Sequence, residues 1–239
     1  SSAAGLTSAD VAGLTGGINI ILDETVTDLD FEGTVSTSDS AIITVNSPAA
    51  ILSNGGADLN LDSVIDVVED LEIVADAATT VTLDQTTALN SLQIRGTKDI
   101  TITGAQVASD LISGKMITAA LTGGATASLA FTTTANDIDL TSVTGFSFNI
   151  LDTAAKGNKL TFASGEINLT LSANLNQPAT VASAFYAAGT TNNATVSLYS
   201  GGNDGLNFDG FASVTLNTGS SATTVSTISV ESDMTTGTK

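Results

Sequence analysis

The chain contains no cysteine, no histidine and no tryptophan, and it has only two prolines and six basic residues among 239 positions. Without cysteine there is no disulfide, no thiolate nucleophile and no cysteine metal site. Without histidine the commonest zinc ligand and the general base suited to neutral pH are both missing. Six Lys and Arg stand against 25 Asp and Glu, a formal charge of -19. Such a chain repels phosphate backbones and anionic lipid surfaces, so neither nucleic acid nor a membrane surface is an expected partner. No apolar run approaches the roughly 20 residues of a spanning helix, so no membrane insertion is expected. The N-terminal Ser-Ser-Ala-Ala-Gly has neither an initiator Met nor the pattern of a signal peptide, and the chain reads as a mature protein or a fragment.

What is present is strand chemistry. Hydrophobic residues make up 42% of the chain, enough to argue against disorder. They are mostly Ala, Val, Ile and Leu, with Thr and Ser filling the alternate positions. Short alternating runs recur at Ile18 to Leu22, Val26 to Phe31 and Ala41 to Val45, each bounded by Asp, Gly, Ser or Asn. Leu71-Glu72-Ile73 and Leu92-Gln93-Ile94 lie 21 residues apart, each with a polar turn and a second short strand after it, at Val81 to Leu83 and Ile100 to Ile102. That spacing predicts stacked rungs.

A longer grammar also repeats. In Ser200 to Thr218 a Gly/Asx turn leads into two strands. Gly55 to Val74 and Ala135 to Ile150 keep the same order, which argues for a repeat architecture. Paired glycines permit tight turns, and the Asx residue beside them bonds its own backbone or offers a carboxylate outward. One stretch interrupts the strands: Pro178, an Ala-rich body and Gly189 predict a short helix near 178–188. The expected fold is all-β, an elongated β-solenoid or β-sandwich-like array of short strands with that one helix. Residues 1–17 read as an N-terminal arm and 18–239 as a β-rich repeat-containing domain, with 18–122 and 123–239 as candidate lobes.

Three patterns resemble the bacterial surface-layer proteins of the RTX type, secreted calcium-binding proteins with Gly-Gly-x-Gly-x-Asp repeats. Gly55-Gly56-Ala57-Asp58-Leu59-Asn60-Leu61 and Gly201-Gly202-Asn203-Asp204-Gly205-Leu206-Asn207-Phe208 look like degenerate single copies of that repeat. Val67 to Ile73 looks like the strand that follows it. Ile150 to Phe162, together with Ser197 to Gly202, is similar to the C-terminal region of such proteins. The resemblance spreads over residues 53–218 and implies a structural role at the cell surface. The repeats here stand alone, whereas the family builds its calcium sites between consecutive repeats.

Oxygen-rich turns make Asp58 with Asp62, Asp137 with Asp139, and Asp204 with Asp209 the candidate calcium ligands, against the plain alternative of turn-forming aspartates. The same pairs are the material from which a carboxylate-dependent polysaccharide hydrolase or lyase on a solenoid would be built. The scarcity of aromatics for a sugar cleft, and the missing His and Cys, argue for no enzyme, no catalytic residue and no organic cofactor. Lys156, Lys159, Arg95 and Lys98 read as solvated cations, and Asn168-Leu169-Thr170 and Asn193-Ala194-Thr195 match the glycosylation sequon. The expected function is a structural subunit or segment of an extracellular, self-assembling, calcium-assisted surface layer. An adhesin or donor-strand filament subunit is the alternative. The expected partners are identical subunits, with a cell-surface glycan as a further candidate.

Overall fold

The computed structural model describes residues 8–12, 17–23, 28–32, 40–46, 58–60, 69–82, 90–103, 114–133, 138–153, 159–172, 179–183, 192–199, 202–203, 206–219, 224–225 and 227–231. With strands numbered in chain order, a ten-stranded sheet takes β1 (Ser8–Ala12), β3 (Asp28–Glu32), β5 (Asp58–Asn60), β7 (Thr79–Thr82), β9 (Ile100–Thr103), β11 (Ala127–Thr133), β14 (Phe146–Thr153), β16 (Glu166–Leu171), β18 (Asn193–Ser197) and β21 (Ser213–Asn217), neighbour to neighbour in that order. A six-stranded sheet stacks β2 (Ile18–Leu22), β4 (Ser40–Val45), β6 (Asp70–Ala75), β8 (Ser91–Gly96), β10 (Met116–Leu121) and β13 (Val143–Thr144). A five-stranded sheet stacks β12 (Ile138–Leu140), β15 (Lys159–Phe162), β17 (Ala179–Ser183), β20 (Leu206–Asp209) and β23 (Ile228–Glu231), and β19 (Gly202–Asn203) pairs with β22 (Thr224–Val225).

Every pairing is parallel, and each strand of the ten-stranded sheet is joined to the next through a strand of another sheet. Parallel neighbours require such a crossover, and here the crossover is itself a strand, so the chain winds as a β-solenoid. The expected 21-residue rung is present: Leu71 pairs with Leu92, and Ile73 with Ile94. In the companion strands the register puts Val81 opposite Ile102.

Alternation then decides what is inside. Ile43, Ile73, Ile94, Val81, Ile102, Leu129 and Val196 are all within 1% of complete burial, and stacking of like on like fills a continuous core. Each such side chain contributes about 1.5–3 kcal/mol of burial. In the C-terminal half the core is aromatic, with Phe131, Phe162, Phe208 and Phe211 fully buried and Phe148 meeting Phe162 edge to face at 4.8 Å between ring centres.

The structure corrects one expected element. Ala179–Ser183, read as the start of a helix, is strand β17, in register with Lys159 to Phe162 on one side and Leu206 to Asp209 on the other. Two neighbours supply ladder bonds to each side of this segment, and Thr180 and Val181 are β-branched, so tertiary pairing outweighs the local Pro/Ala signal. Residues 184–190 lie outside the described residues, among which no helix occurs. Of the N-terminal arm, residues 8–12 form β1 and pair with β3.

The second face of the solenoid changes sheet part-way along. Within one turn, β12 opens the five-stranded sheet and β13, three residues on, closes the six-stranded one, while the ten-stranded sheet runs through unbroken. The corner between β13 and β14 is the single residue Gly145, with φ +82°, and a Cβ there would sit 2.1 Å from the Ala119 carbonyl oxygen. Only glycine lets the backbones approach so closely. Another corner is tied by Asn192, fully buried, whose Oδ1 accepts from the Gly165 N–H at 2.7 Å. Its Nδ2 donates to the Gly210 carbonyl at 3.1 Å, so one side chain spans three turns.

Candidate functional site

Of the candidate calcium ligands, Asp62, Asp137 and Asp204 lie outside the described residues, and Asp58 opens β5. Asp139 is exposed on β12, and its Oδ1 accepts the Thr141 N–H at 2.9 Å, an Asx turn. Asp209 is exposed at the end of β20. The register runs Asp139, Thr161, Ala182, Asp209, so these two aspartates share a column of the five-stranded sheet with two strands between them, about 14 Å at the usual strand spacing. Among the described residues no three acidic side chains converge on one point.

Several acids have a different use that the sequence reading missed. Asp70 Oδ1 accepts from Ser91 Oγ at 2.5 Å, Asp23 Oδ1 from Asn46 Nδ2 at 2.7 Å, and Asp99 Oδ1 from the backbone N–H of Thr126 at 2.7 Å. Glu72 pairs with Arg95, which stands outward on β8. In each case the donor comes from the following turn, 21 to 27 residues on. The acids staple turn to turn. For Asp99 the Thr126 N–H, then the Thr126 hydroxyl, hold the carboxyl below the usual carboxylate range, with Lys98 assisting and desolvation opposing.

The broadest organised surface is the outer face of the ten-stranded sheet. While Val81, Ile102, Leu129 and Phe148 point inward, Thr80, Thr101, Ser128 and Ser147 form a column outside them. Asn168, Thr195 and Thr215 continue it. A second column, two residues along each strand, carries Thr103, Asn149, Thr170, Ser197 and Asn217, broken only by Ala130. From β7 to β21 neither column holds a charged residue. In the register Asp58 lies opposite Thr80, and Asp28 opposite Asn60. Polar pairs lock the next positions: Ser172 Oγ donates to Asn149 Oδ1, and Ser213 Oγ to Asn193 Oδ1, both at 2.7 Å. Both sequons lie on this sheet, in β16 and β18.

The signal for these columns was in the sequence. Thr80-Val81-Thr82, Thr101-Ile102-Thr103, Asn168-Leu169-Thr170, Thr195-Val196-Ser197 and Thr215-Leu216-Asn217 are one pattern, an uncharged polar residue on each side of a buried one.

An open groove of about 340 Å³ borders the face. It lies where the Gly145 corner is shorter than the corners at 122–126 and 163–165 that flank it. Ala119, Leu121, Thr126, Phe146 and Asn168 line it, and Glu166 is the one carboxylate among the described residues that do.

Compared with known proteins, the chain matches no protein-family model, no curated protein and no solved structure.

Proposed function

We propose that this chain is a non-catalytic structural subunit, or a segment of one, in an extracellular surface layer that assembles from identical copies with the help of calcium. The observation that carries this reading is the unbroken ten-stranded sheet, which presents a broad face repeating from turn to turn. Its charge supports a role for a cation. At -19, identical copies repel one another unless screened or bridged.

A filament is the second reading. It is favoured by the end strands β21 and β23, where Val214 and Leu216 are only partly buried and Ile228 and Val230 are 43% and 49% exposed. Exposed apolar edge strands are the positions at which another chain adds.

Electron microscopy of the purified chain in millimolar calcium, in chelator and in monovalent salt of matched ionic strength tests both. Two-dimensional sheets that appear in calcium and dissolve in chelator are the expected result. One-dimensional fibres would favour the filament, and a monomer under all three conditions would overturn assembly altogether.

A further inference from the structure

Resting on the surface-layer reading, we propose that the two uncharged columns on the outer face of the ten-stranded sheet, between β7 and β21, form the lateral contact, and that their occupant is the same face of a second copy. A chain with 25 acidic and six basic residues approaches itself at a cost almost everywhere. The six-stranded sheet shows Asp70 and Glu72 to solvent beside Arg95, and the five-stranded sheet shows Asp139 and Asp209. The Thr/Ser/Asn columns themselves hold no carboxylate, and the nearest acids on this face, Asp99 and Glu166, stand two residues before Thr101 and Asn168 at its border. The columns' hydroxyls and amides are donors and acceptors at once, so two identical faces can satisfy each other, as a two-fold contact requires.

Area sets the strength. Strands stacked at about 4.8 Å, with polar columns two residues apart, make a patch of about 30 by 15 Å, or roughly 450 Å² per copy. Two such patches bury about 900 Å², short of the roughly 1,200 Å² of a stable standard interface. One pair is therefore weak, and the contact becomes persistent only when other contacts in an assembly hold the partners in place.

The test places lysine on the face. Asn168→Lys and Thr195→Lys occupy register neighbours on β16 and β18, and Gln93→Lys with Thr118→Lys is the matched pair on the six-stranded sheet. Both double variants lower the net negative charge equally, so a general charge effect moves them together. The proposal expects at least about tenfold weaker self-association for the face variant and none for the control, read by sedimentation velocity in calcium. Circular dichroism and melting confirm folding, and Thr215→Lys alone replaces the double variant if it does not fold.

The cysteine-free background supplies a second readout. Single cysteines along the column, Ser147→Cys, Asn168→Cys and Thr195→Cys, mixed in pairs, should give disulfide-linked dimers on mild oxidation for at least one combination, and Thr118→Cys should give none. If the parent assembles and the face variants assemble equally well, with no preferential cross-linking, this contact is wrong while the surface-layer reading stands. If face cross-linking occurs but no extended sheet forms, the contact stands and the surface-layer reading fails. If the lysines leave self-association intact but abolish retention on a polysaccharide-coated surface, the face is a glycan surface and the proposal is overturned.

Discussion

Gly145 and Gly123 have similar φ angles, +82° and +72°, but different surroundings: a Cβ at Gly145 would overlap the Ala119 carbonyl, whereas one at Gly123 would meet nothing within 4 Å. Gly123→Ala should cost about 1 kcal/mol, the strain of a left-handed non-glycine residue alone. Gly145→Ala adds the clash with the turn below and should cost about 3 kcal/mol or more. Urea denaturation of the two variants checks this, and equal losses would mean that the turns at this corner do not touch as described. Asp99 makes a pH prediction. Its folded pKa lies below the usual value, so its hydrogen bonds to Thr126 contribute fully above the unfolded-state value of about 3.9 and fade as pH falls through the folded one. Asp99→Asn should therefore melt slightly below the parent at pH 7, with the gap closing below about pH 4. Melting curves from pH 7 to pH 3 read it directly, and a gap independent of pH would show that the charge is not felt.

Strands show where sequence reading succeeds and where it stops. Alternation placed β2, β4, β6, β8 and β9 because every inward side chain is apolar while most outward ones are polar, Ile21, Ile42 and Val74 being the exceptions. The choice between solenoid and sandwich was not legible, since alternation fixes faces and says nothing of which strand lies alongside; the 21-residue spacing of Leu71 and Leu92 was the one long-range clue. The repeated turn-strand-strand grammar marked real elements but not their position in the turn. Ile138 to Leu140 and Leu206 to Asp209 both enter the five-stranded sheet before crossing to the ten-stranded one, whereas Asp58 to Asn60 belongs to the ten-stranded sheet. The Pro178 segment was misread because helix signals are local and the pairing that overrides them is not. That override can be tested. Near the start of a helix Thr180→Pro would be tolerated, but in β17, flanked by β15 and β20, it removes a ladder donor and leaves an acceptor without its bond. A loss of about 1–3 kcal/mol or more in thermal unfolding is expected, and a neutral effect would restore the helix. The candidate face was legible residue by residue as alternate Thr, Ser and Asn, but only the register aligns them into columns.

At the scale of the molecule, charge and stacking act against each other. Monovalent salt should raise the melting temperature by screening the excess acids, by about 2–4 °C for each kcal/mol regained in a chain of this size. Calcium at matched ionic strength should raise it further if the turn aspartates hold the ion, since saturation at 100 times the dissociation constant adds about 2.7 kcal/mol per site. Differential scanning fluorimetry in calcium, in chelator and in matched salt separates the two. Coincident curves for calcium and matched salt would leave Asp139 as the Asx turn it forms with Thr141, and Asp58 and Asp209 as strand-end residues without an ion.

The unbroken ten-stranded sheet also gives the molecule a unit of length. Its strands stack along one axis at about 4.8 Å, so the sheet stands about 43 Å tall, and gaining or losing one full turn changes that height by one step while leaving the cross-section as it was. A chain of this kind is a ruler graduated in turns. Spacing set by its long axis would vary between related molecules in fixed increments, each written in the gene as roughly twenty to thirty codons.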